Sequence, residues 1–444
     1  MLAARSARLQ KSVRSVRQVH SYARTLAASD AHALLPALES ALANVSSESV
    51  LFYAASRDMP SHVLGEVVQI LRQSAARTRI GFLSASLPLG SSVMHSVAFA
   101  ALDDAIPFRS TISGGARIAV GRWPAQKDLW KMGKSLRTDG LDTGADWRSL
   151  WGRENASNEL PEALERVEYV DTNSPTSIGT VLAASDSRFQ GLIEGLDAHY
   201  GSATIAGVVG ARTPFSTGRE HTLLADGLGA DGGIFDNGAL GLAIPTAART
   251  ETAFDGLQPI GDRLEITAAR GNVISALDHA NAAQQFLRLV TRTGTNNMTA
   301  MQVRELSSEV RKDDEFCVGI FSCKDDTVPV LMARVNSGHP MRGTLSIDTN
   351  SELGDTGAWL QLYRKVGASA PPIPSGGPCL VFFSCGAEHM PAANAHGSEL
   401  VELEHVMYVA SDGGWFGRPP ARSAPMLQHT HACTVSHARL TIHL

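Results

Sequence analysis

The sequence contains no run of 18 consecutive apolar residues, and its longest apolar stretches have the length of a β-strand. Because a membrane-spanning helix needs about 20 such residues, we expect no membrane span. Hydrophobic residues nevertheless make up 43% of the chain and charged residues 19%, which is typical of a globular protein with a packed core. A chain of 444 residues is long for one core, so two lobes are expected.

The sequence is also poor in cysteine and in catalytic motifs. Its five cysteines are odd in number and none lies in a C-x-x-C pair, which predicts free thiols in a reducing compartment. Neither G-x-S-x-G nor H-E-x-x-H occurs. The possible nucleophiles Cys317, Cys385 and Asp348 have no evident base beside them in the sequence. We therefore predict a protein that is not an enzyme and has no catalytic residues.

Acidic residues are absent before Asp30, whereas six basic residues occur there, mostly three apart among Ser, Ala, Val and Leu. This composition is typical of a mitochondrial transit peptide, so residues 1–29 are predicted to be one and the protein to lie in the matrix. The alternative is a basic arm that binds nucleic acid. Removal of residues 1–29 leaves 33 basic against 44 acidic residues, and so acidic a body is not expected to bind nucleic acid.

The pattern of the first half begins as strand, helix, strand. The apolar run SVLFYAAS precedes SHVLGEVVQILRQSAART, whose Leu64, Val67, Val68 and Leu71 have helical spacing with Ser61 as N-cap. RIGFLSAS follows, so residues 51–55 are predicted to pair in parallel with residues 80–84. The whole chain is predicted to be α+β or mixed α/β, with two lobes of mixed, largely antiparallel sheets flanked by helices. The polar segment 245–259 divides the predicted domains 45–247 and 256–444, and no repeats of solenoid length are evident.

Three motifs suggest a cofactor or a metal, and each has a simpler explanation. Gly227, Gly229 and Gly232 fit G-x-G-x-x-G, but an alternating strand pattern follows, which favours a hairpin turn. MGKSL around Lys134 has Asp128 where a phosphate loop needs glycine. Two histidine-containing groups lack matched ligand spacing: Cys385, Glu388, His389 and His396, and His429, His431, Cys433 and His437. We predict no cofactor and no metal.

One segment, VVGARTPFSTGREHTLL, is well suited to bind an anion. It leads from an apolar strand to Arg212 and Arg219, with hydroxyl groups on Thr213, Ser216 and Thr217. Two guanidinium groups beside three hydroxyls can hold a small carboxylate. The alternative is a hairpin whose arginines pair with local acids such as Glu220 and Asp226.

A second polar segment, NSGHPMRG, lies in the other half of the chain. We predict that its Asn336, Ser337 and Arg342 contribute to the same ligand site. The alternative is that Arg342 closes a turn after Pro340. Whether the two halves share one cleft is left open by the sequence.

The segment VVGARTPFSTGREHTLLADG followed by GALGLAI resembles the end of the N-terminal region of FIST domain proteins. PIGDRLEITAARGNVISALDHANAAQQFL is similar to the opening of their C-terminal region. The resemblance implies a sensory module for small ligands such as amino acids, in a fungal-type mitochondrial or F-box-related member. The F-box relationship offers an alternative, an adaptor in the ubiquitin pathway that contacts a protein partner through the tryptophan-rich residues 123–151, although no F-box-like segment precedes the two regions.

Overall fold

The computed structural model describes residues 21–89, 92–111, 178–228, 233–291, 315–326, 329, 331–339, 343–349, 353, 357–366, 377–385, 400–418 and 430–444. Strands account for 54% and helices for 16% of the structure. The predicted α+β or mixed α/β fold with helix-flanked lobes is therefore wrong, because strands dominate and the described part contains only four α-helices.

Most strands of the first half belong to one eight-stranded sheet, sheet 1. Its path runs in the order β10, β9, β3, β2, β5, β1, β21, and β4 pairs with β5 at the side. The bounds of these strands are β1 (Ser21–Ala28), β2 (Val50–Ser56), β3 (Thr78–Ser84), β4 (Leu87–Leu89), β5 (Ser92–Leu102), β9 (Leu223–Asp226), β10 (Gly233–Phe235) and β21 (Leu400–Glu404).

Two smaller sheets follow, with the orders β24, β23, β8, β7, β11, β6 in sheet 2 and β12, β25, β20, β22 in sheet 3. Sheet 2 consists of β6 (Ile106–Ser110), β7 (Thr180–Ser185), β8 (Thr204–Val209), β11 (Ala239–Ile244), β23 (Trp415–Arg418) and β24 (His431–Cys433). Sheet 3 consists of β12 (Arg249–Phe254), β20 (Cys379–Ser384), β22 (Val406–Ser411) and β25 (Ala438–His443).

Sheet 4 lies between β12 and β20 in the chain and has seven strands. Its strands are β13 (Leu257–Arg270), β14 (Val273–Leu277), β15 (Ala280–Asn281), β16 (Phe316–Phe321), β17 (Leu331–His339), β18 (Thr344–Ile347) and β19 (Trp359–Lys365). The helices are α1 (Leu34–Leu42), α2 (Ser61–Gln73), α3 (Gln190–His199) and α4 (Ala282–Thr291), with a 3-10 turn at Ala31–Ala33 before α1.

Sheets 1, 2 and 3 share one topology. In each, two strands run parallel (β2 with β3, β7 with β8, β20 with β22), and an antiparallel strand lies beside the first of them (β5, β11, β25). The first strand of each set in chain order, which is β1, β6 or β12, pairs with that antiparallel strand. We call these sets units 1, 2 and 3. The predicted parallel pairing of residues 51–55 with 80–84 is confirmed, since Phe52 lies opposite Ile80.

The three units join in a ring through the segment that follows each second parallel strand. The Ala211 amide of unit 2 donates to the Leu83 carbonyl of unit 1 over 2.8 Å. The Val209 amide of unit 2 donates to the Gly414 carbonyl of unit 3 over 3.0 Å, and the Ala85 amide of unit 1 donates to the Ala410 carbonyl of unit 3 over 3.1 Å. Each unit thus hydrogen-bonds to the other two.

The main core lies where the sheets of the three units pack directly on one another. It contains Phe52 and Phe82 of unit 1, Leu182 of unit 2 and Phe382 of unit 3, all completely buried. Helices cover only outer faces here: α1 and α2 pack on sheet 1 and α3 on sheet 2. Small side chains such as that of Ala54 let the sheets approach without an intervening helix layer.

Helix α2 illustrates how well the local pattern predicts one element. Its buried side chains Val63, Val67 and Leu71 recur every four residues, so one face is apolar. The helix begins at Ser61 itself, and Pro60 occupies the cap position without a side-chain hydrogen bond. The predicted N-cap is therefore off by one residue, because Pro60 favours the extended conformation that precedes a first turn.

Two features bear on the predicted domains. Strand β1 falls within residues 1–29, yet it pairs with β5 and β21 and its Leu26, Ala27 and Ala28 are fully buried. It therefore belongs to the folded body. Strands β21, β23 and β24 lie after residue 256 but complete sheets 1 and 2, so the sheets cross the predicted boundary at 245–259.

No described helix is long and apolar enough to span a membrane.

The buried ion pair between Arg418 and Asp197 gives a stability prediction. Arg418 on β23 is 2% exposed and its Nη1 donates to Asp197 Oδ1 on α3 over 2.7 Å. Asp197 also accepts from the Thr430 amide and hydroxyl. Asp197→Ala removes the carboxylate that pairs with this buried guanidinium, so we expect a loss of about 3–5 kcal/mol in the free energy of unfolding, measured by urea denaturation.

Glu251→Ala is the matched control. It also removes the acid of an arginine pair, since Arg249 Nη2 lies 2.6 Å from Glu251 Oε1, but both side chains are at least half exposed. A loss below about 1 kcal/mol is expected there. Equal losses in the two variants would contradict a structural role for the Arg418–Asp197 pair.

Candidate functional site

The parallel strand pairs of the three units end at the place where the ring hydrogen bonds form. Five of the six parallel strands end on serine: Ser56, Ser84, Ser185, Ser384 and Ser411. Polar residues follow several of these ends, among them Arg57, Cys385 and Asp412. In open α/β sheets ligands bind beyond the carboxyl ends of parallel strands, which makes this edge the candidate site.

Arg57 links all three units at this edge. It follows β2 of unit 1, and its Nη1 donates to Asp412 Oδ2 of unit 3 over 2.5 Å and to the Arg212 carbonyl of unit 2 over 3.1 Å. Its Nε lies 3.5 Å from Asp58 Oδ1. Burial acts to lower the pKa of Arg57, but Asp412 and Asp58 outweigh burial and raise the pKa, so the guanidinium stays charged.

Three residues on the segments that meet at this edge each have a buried polar atom without a hydrogen-bond partner: Asp412 Oδ1, His221 Nε2 and Ser384 Oγ. Ser384 is fully buried, His221 is 2% exposed, and Asp412 Oδ1 is itself inaccessible. Buried polar atoms are nearly always paired in folded proteins. Seventeen buried side-chain atoms of the described residues lack a hydrogen-bond partner, and these three belong to segments that meet at one edge of the fold. We call the set Arg57, Asp58, Arg212, His221, Ser384, Cys385 and Asp412 the Arg57 junction.

The tautomer of His221 follows from its single hydrogen bond. Its Nδ1 lies 2.9 Å from the Gly210 carbonyl oxygen. Because a carbonyl can only accept, Nδ1 carries the hydrogen, and Nε2 of the neutral ring is an acceptor. His221 lies opposite Arg212 in an antiparallel bridge, and Arg212 in turn contacts Arg57 through its carbonyl. His221 lies within the segment predicted to bind an anion but was not among the predicted contacts, because its hydrogen bond with Gly210 is visible only in the fold.

The predicted anion loop lies beside the junction. The Arg212 guanidinium is exposed and pairs with Glu220 over 2.6 Å, which is the local pairing that the alternative interpretation named. Thr213 and Thr217 both lie 2.7 Å from the Thr222 hydroxyl, and Thr213 donates to the Arg219 carbonyl over 3.1 Å. The hydroxyl groups therefore hold the loop in one shape.

The other predicted contacts occupy different positions. Ser216 is exposed and Arg219 partly exposed in the same loop, whose Phe215 is completely exposed. Asn336 and Ser337 are exposed on β17 of sheet 4, so they lie in a different sheet from the loop. Arg342 lies outside the described residues.

Some sequence motifs can now be placed. Strands β9 and β10 pair antiparallel on either side of the segment with Gly227, Gly229 and Gly232, which confirms the hairpin interpretation, although Gly229 and Gly232 themselves lie outside the described residues. Asp128, Lys134 and residues 123–151 also lie outside them, as do Glu388, His389, His396 and His429. Within the described part, no group of three or more His, Cys, Asp or Glu side chains could hold a metal ion.

A comparison with family models finds one match, to the FIST N domain over residues 49–280, just over half of the chain. The chain belongs to the FIST N domain family. FIST domains are generally sensory domains that bind small ligands, rather than catalytic domains. The match contains Arg57, Arg212 and His221, whereas Ser384 and Asp412 lie beyond it. No curated protein matches the chain, and the C-terminal FIST region and the F-box relationship stay predictions.

The possible nucleophiles of this FIST protein are in unreactive surroundings. Burial, followed by Asp412, raises the pKa of Cys385 to about 12, and burial with Glu315 raises the pKa of Cys317 to about 12. The reactive form of cysteine is the thiolate, so both thiols are inert at neutral pH. Asp348 lies 3.8 Å from Arg334 and accepts from the Thr434 hydroxyl over 2.9 Å.

Alkylation by iodoacetamide at pH 8 tests this assignment of the cysteines. Cys323 is exposed, although its hydrogen bond with Asp326 also raises its pKa, whereas burial raises the pKa of Cys379 to about 11 and of Cys433 to about 12. We therefore expect Cys323 to be modified first and the other four only after denaturation, as followed by mass spectrometry. Cys323→Ser should abolish the early phase; fast modification of Cys385 in the folded protein would contradict the inert assignment.

Proposed function

We propose that this FIST protein is a non-catalytic sensor whose Arg57 junction binds a small ligand carrying an amine and a carboxylate, such as an amino acid. The single observation that supports this proposal most is that three residues on the segments meeting at Arg57 and Asp412 each have a buried polar atom without a partner. An unpaired buried polar atom costs about 1–3 kcal/mol. A ligand that pairs with these atoms recovers that free energy on binding.

The acceptors of the junction favour an amine. Asp412 Oδ1 and His221 Nε2 can both act as hydrogen-bond acceptors. Asp412 is also negatively charged, and its other oxygen, Oδ2, accepts from Arg57. An ammonium group has three donors and a positive charge, so it matches this pair better than a second carboxylate does. The Ser384 hydroxyl can donate or accept and adds a contact for either end of the ligand.

The loop beside the junction supplies the groups for a carboxylate. Arg212 pairs with Glu220 while both side chains are more than half exposed, so a ligand carboxylate can replace Glu220 at little cost. Arg219 and the Ser216 hydroxyl lie in the same loop, whose shape Thr213 and Thr217 hold through Thr222. A bidentate arginine contact fixes orientation as well as adding affinity.

Calorimetric titration with matched ligands tests the proposal. The panel pairs amino acids with the same acids lacking the amine and with the same amines lacking the carboxylate. We expect amino acids to bind and Asp412→Asn to weaken binding about tenfold or more, since a hydrogen bond to a charged group contributes about 1.5–3 kcal/mol. Asp262→Asn, at an exposed position of β13, is the control and should bind as the unmodified protein does.

His221→Asn provides a second, conservative variant. The asparagine amide can still donate to the Gly210 carbonyl, as Nδ1 of His221 does, but it lacks an acceptor at the position of Nε2. We expect a folded protein with weaker amine binding. A folded protein that binds no member of the panel would refute the proposed ligand class, and binding unaffected by either variant would refute the proposed site.

We also propose that the protein is imported into mitochondria by a leader that ends before Ser21. The basic composition of the first residues supports import, and the buried pairing of β1 supports a mature chain that keeps Ser21–Ala28. Mass spectrometry of the protein from purified organelles should give a first residue at or before Ser21. Recovery from the cytosol with Met1 intact would refute import.

A further inference from the structure

Two exposed histidines face each other on the outside of unit 1. His32 lies in the 3-10 turn Ala31–Ala33, and His62 lies in the first turn of α2. Their Nε2 atoms are 3.3 Å apart, and the ring centroids are 5.2 Å apart with an angle of 42° between the rings. In the absence of other partners one ring nitrogen donates to the other.

The backbone around both histidines is fixed. Asp30 caps the 3-10 turn by accepting from the His32 amide over 3.0 Å. That turn leads into α1, which packs against α2, and both helices bury apolar side chains on sheet 1. The two imidazoles are therefore held next to each other by elements that belong to the core of unit 1, although the rings themselves are exposed.

From this geometry we propose that His32 and His62 form a binding site for a divalent transition metal ion such as zinc or copper. Zinc binds imidazole nitrogen at about 2.0–2.1 Å, and two such ligands at a tetrahedral angle lie about 3.3 Å apart. The spacing of the Nε2 atoms matches this value. A metal ion bound between them replaces the hydrogen that joins the rings, and because both rings are exposed, water fills the remaining coordination positions.

Asp30 lies two residues before His32, and Asp58 lies four residues before His62. Asp30 and Asp58 both act on His95 of β5, on the same side of unit 1, where burial lowers the pKa of His95 against their opposing effect. The site holds two protein ligands, consistent with the absence of larger ligand groups in the described part of the chain. The proposal does not depend on the ligand proposed for the Arg57 junction.

Copper titration followed by electron paramagnetic resonance tests the site in the full chain. We expect one copper equivalent with nitrogen hyperfine structure from two imidazoles, and calorimetry should show zinc competing for it. His32→Ala and His62→Ala should each abolish or weaken binding of this copper ion. Loss of an outer-shell partner alone costs about 10- to 100-fold in metal affinity, so loss of a direct ligand should cost at least as much. His199→Ala, an exposed histidine at the end of α3, is the control and should leave it unchanged.

The circular dichroism spectrum of each variant establishes that it is folded, and His62→Gln serves as a milder replacement if His62→Ala is not. Metal binding that survives the loss of either histidine, or that is lost equally in the His199 control, would overturn the proposal. Binding to the histidine-rich C-terminal segment alone would appear as the first of these outcomes.

Discussion

The hydrogen bonds that close three units into a ring determine the rest of the structure. Each parallel pair would otherwise end in free backbone groups at its second strand. The Ala211 amide and the Leu83 carbonyl satisfy each other across units 1 and 2, as Ala85 does with Ala410 across units 1 and 3. Because such buried groups must be paired, the three sheets are held at one mutual orientation, and their small apolar faces form a single shared core.

The ring also explains where the polar groups gather. All three parallel pairs end at the same edge, so residues that follow them are brought together although they are distant in the chain. Arg57 can contact Asp412 and the Arg212 carbonyl only because units 3 and 2 lie on either side of unit 1. The backbone groups of the strands are already paired with one another. Polar side chains at this edge therefore depend on one another or on a ligand for their hydrogen bonds.

Short-range patterns predicted the elements that depend on short-range physics. The strand SVLFYAAS, the apolar face of α2 and the parallel partner RIGFLSAS follow from periodicity within some 35 residues. The ring could not be predicted in this way, because its contacts join residues far apart in sequence. Strand β1 was assigned to a leader because Arg24 and its small neighbours also fit a transit peptide, whereas its burial depends on β21, near the other end of the chain.

The same reasoning applies to the candidate site. The loop from Arg212 to Arg219 is visible in the sequence because its residue types are unusual together. The role of His221 depends on one carbonyl, that of Gly210, which fixes the ring tautomer. A ligand that pairs with His221 and Asp412 contacts units 2 and 3 at once and adjoins Arg57 of unit 1. Under the proposed function, the binding free energy of such a ligand would add to that of the hydrogen bonds that join the three units.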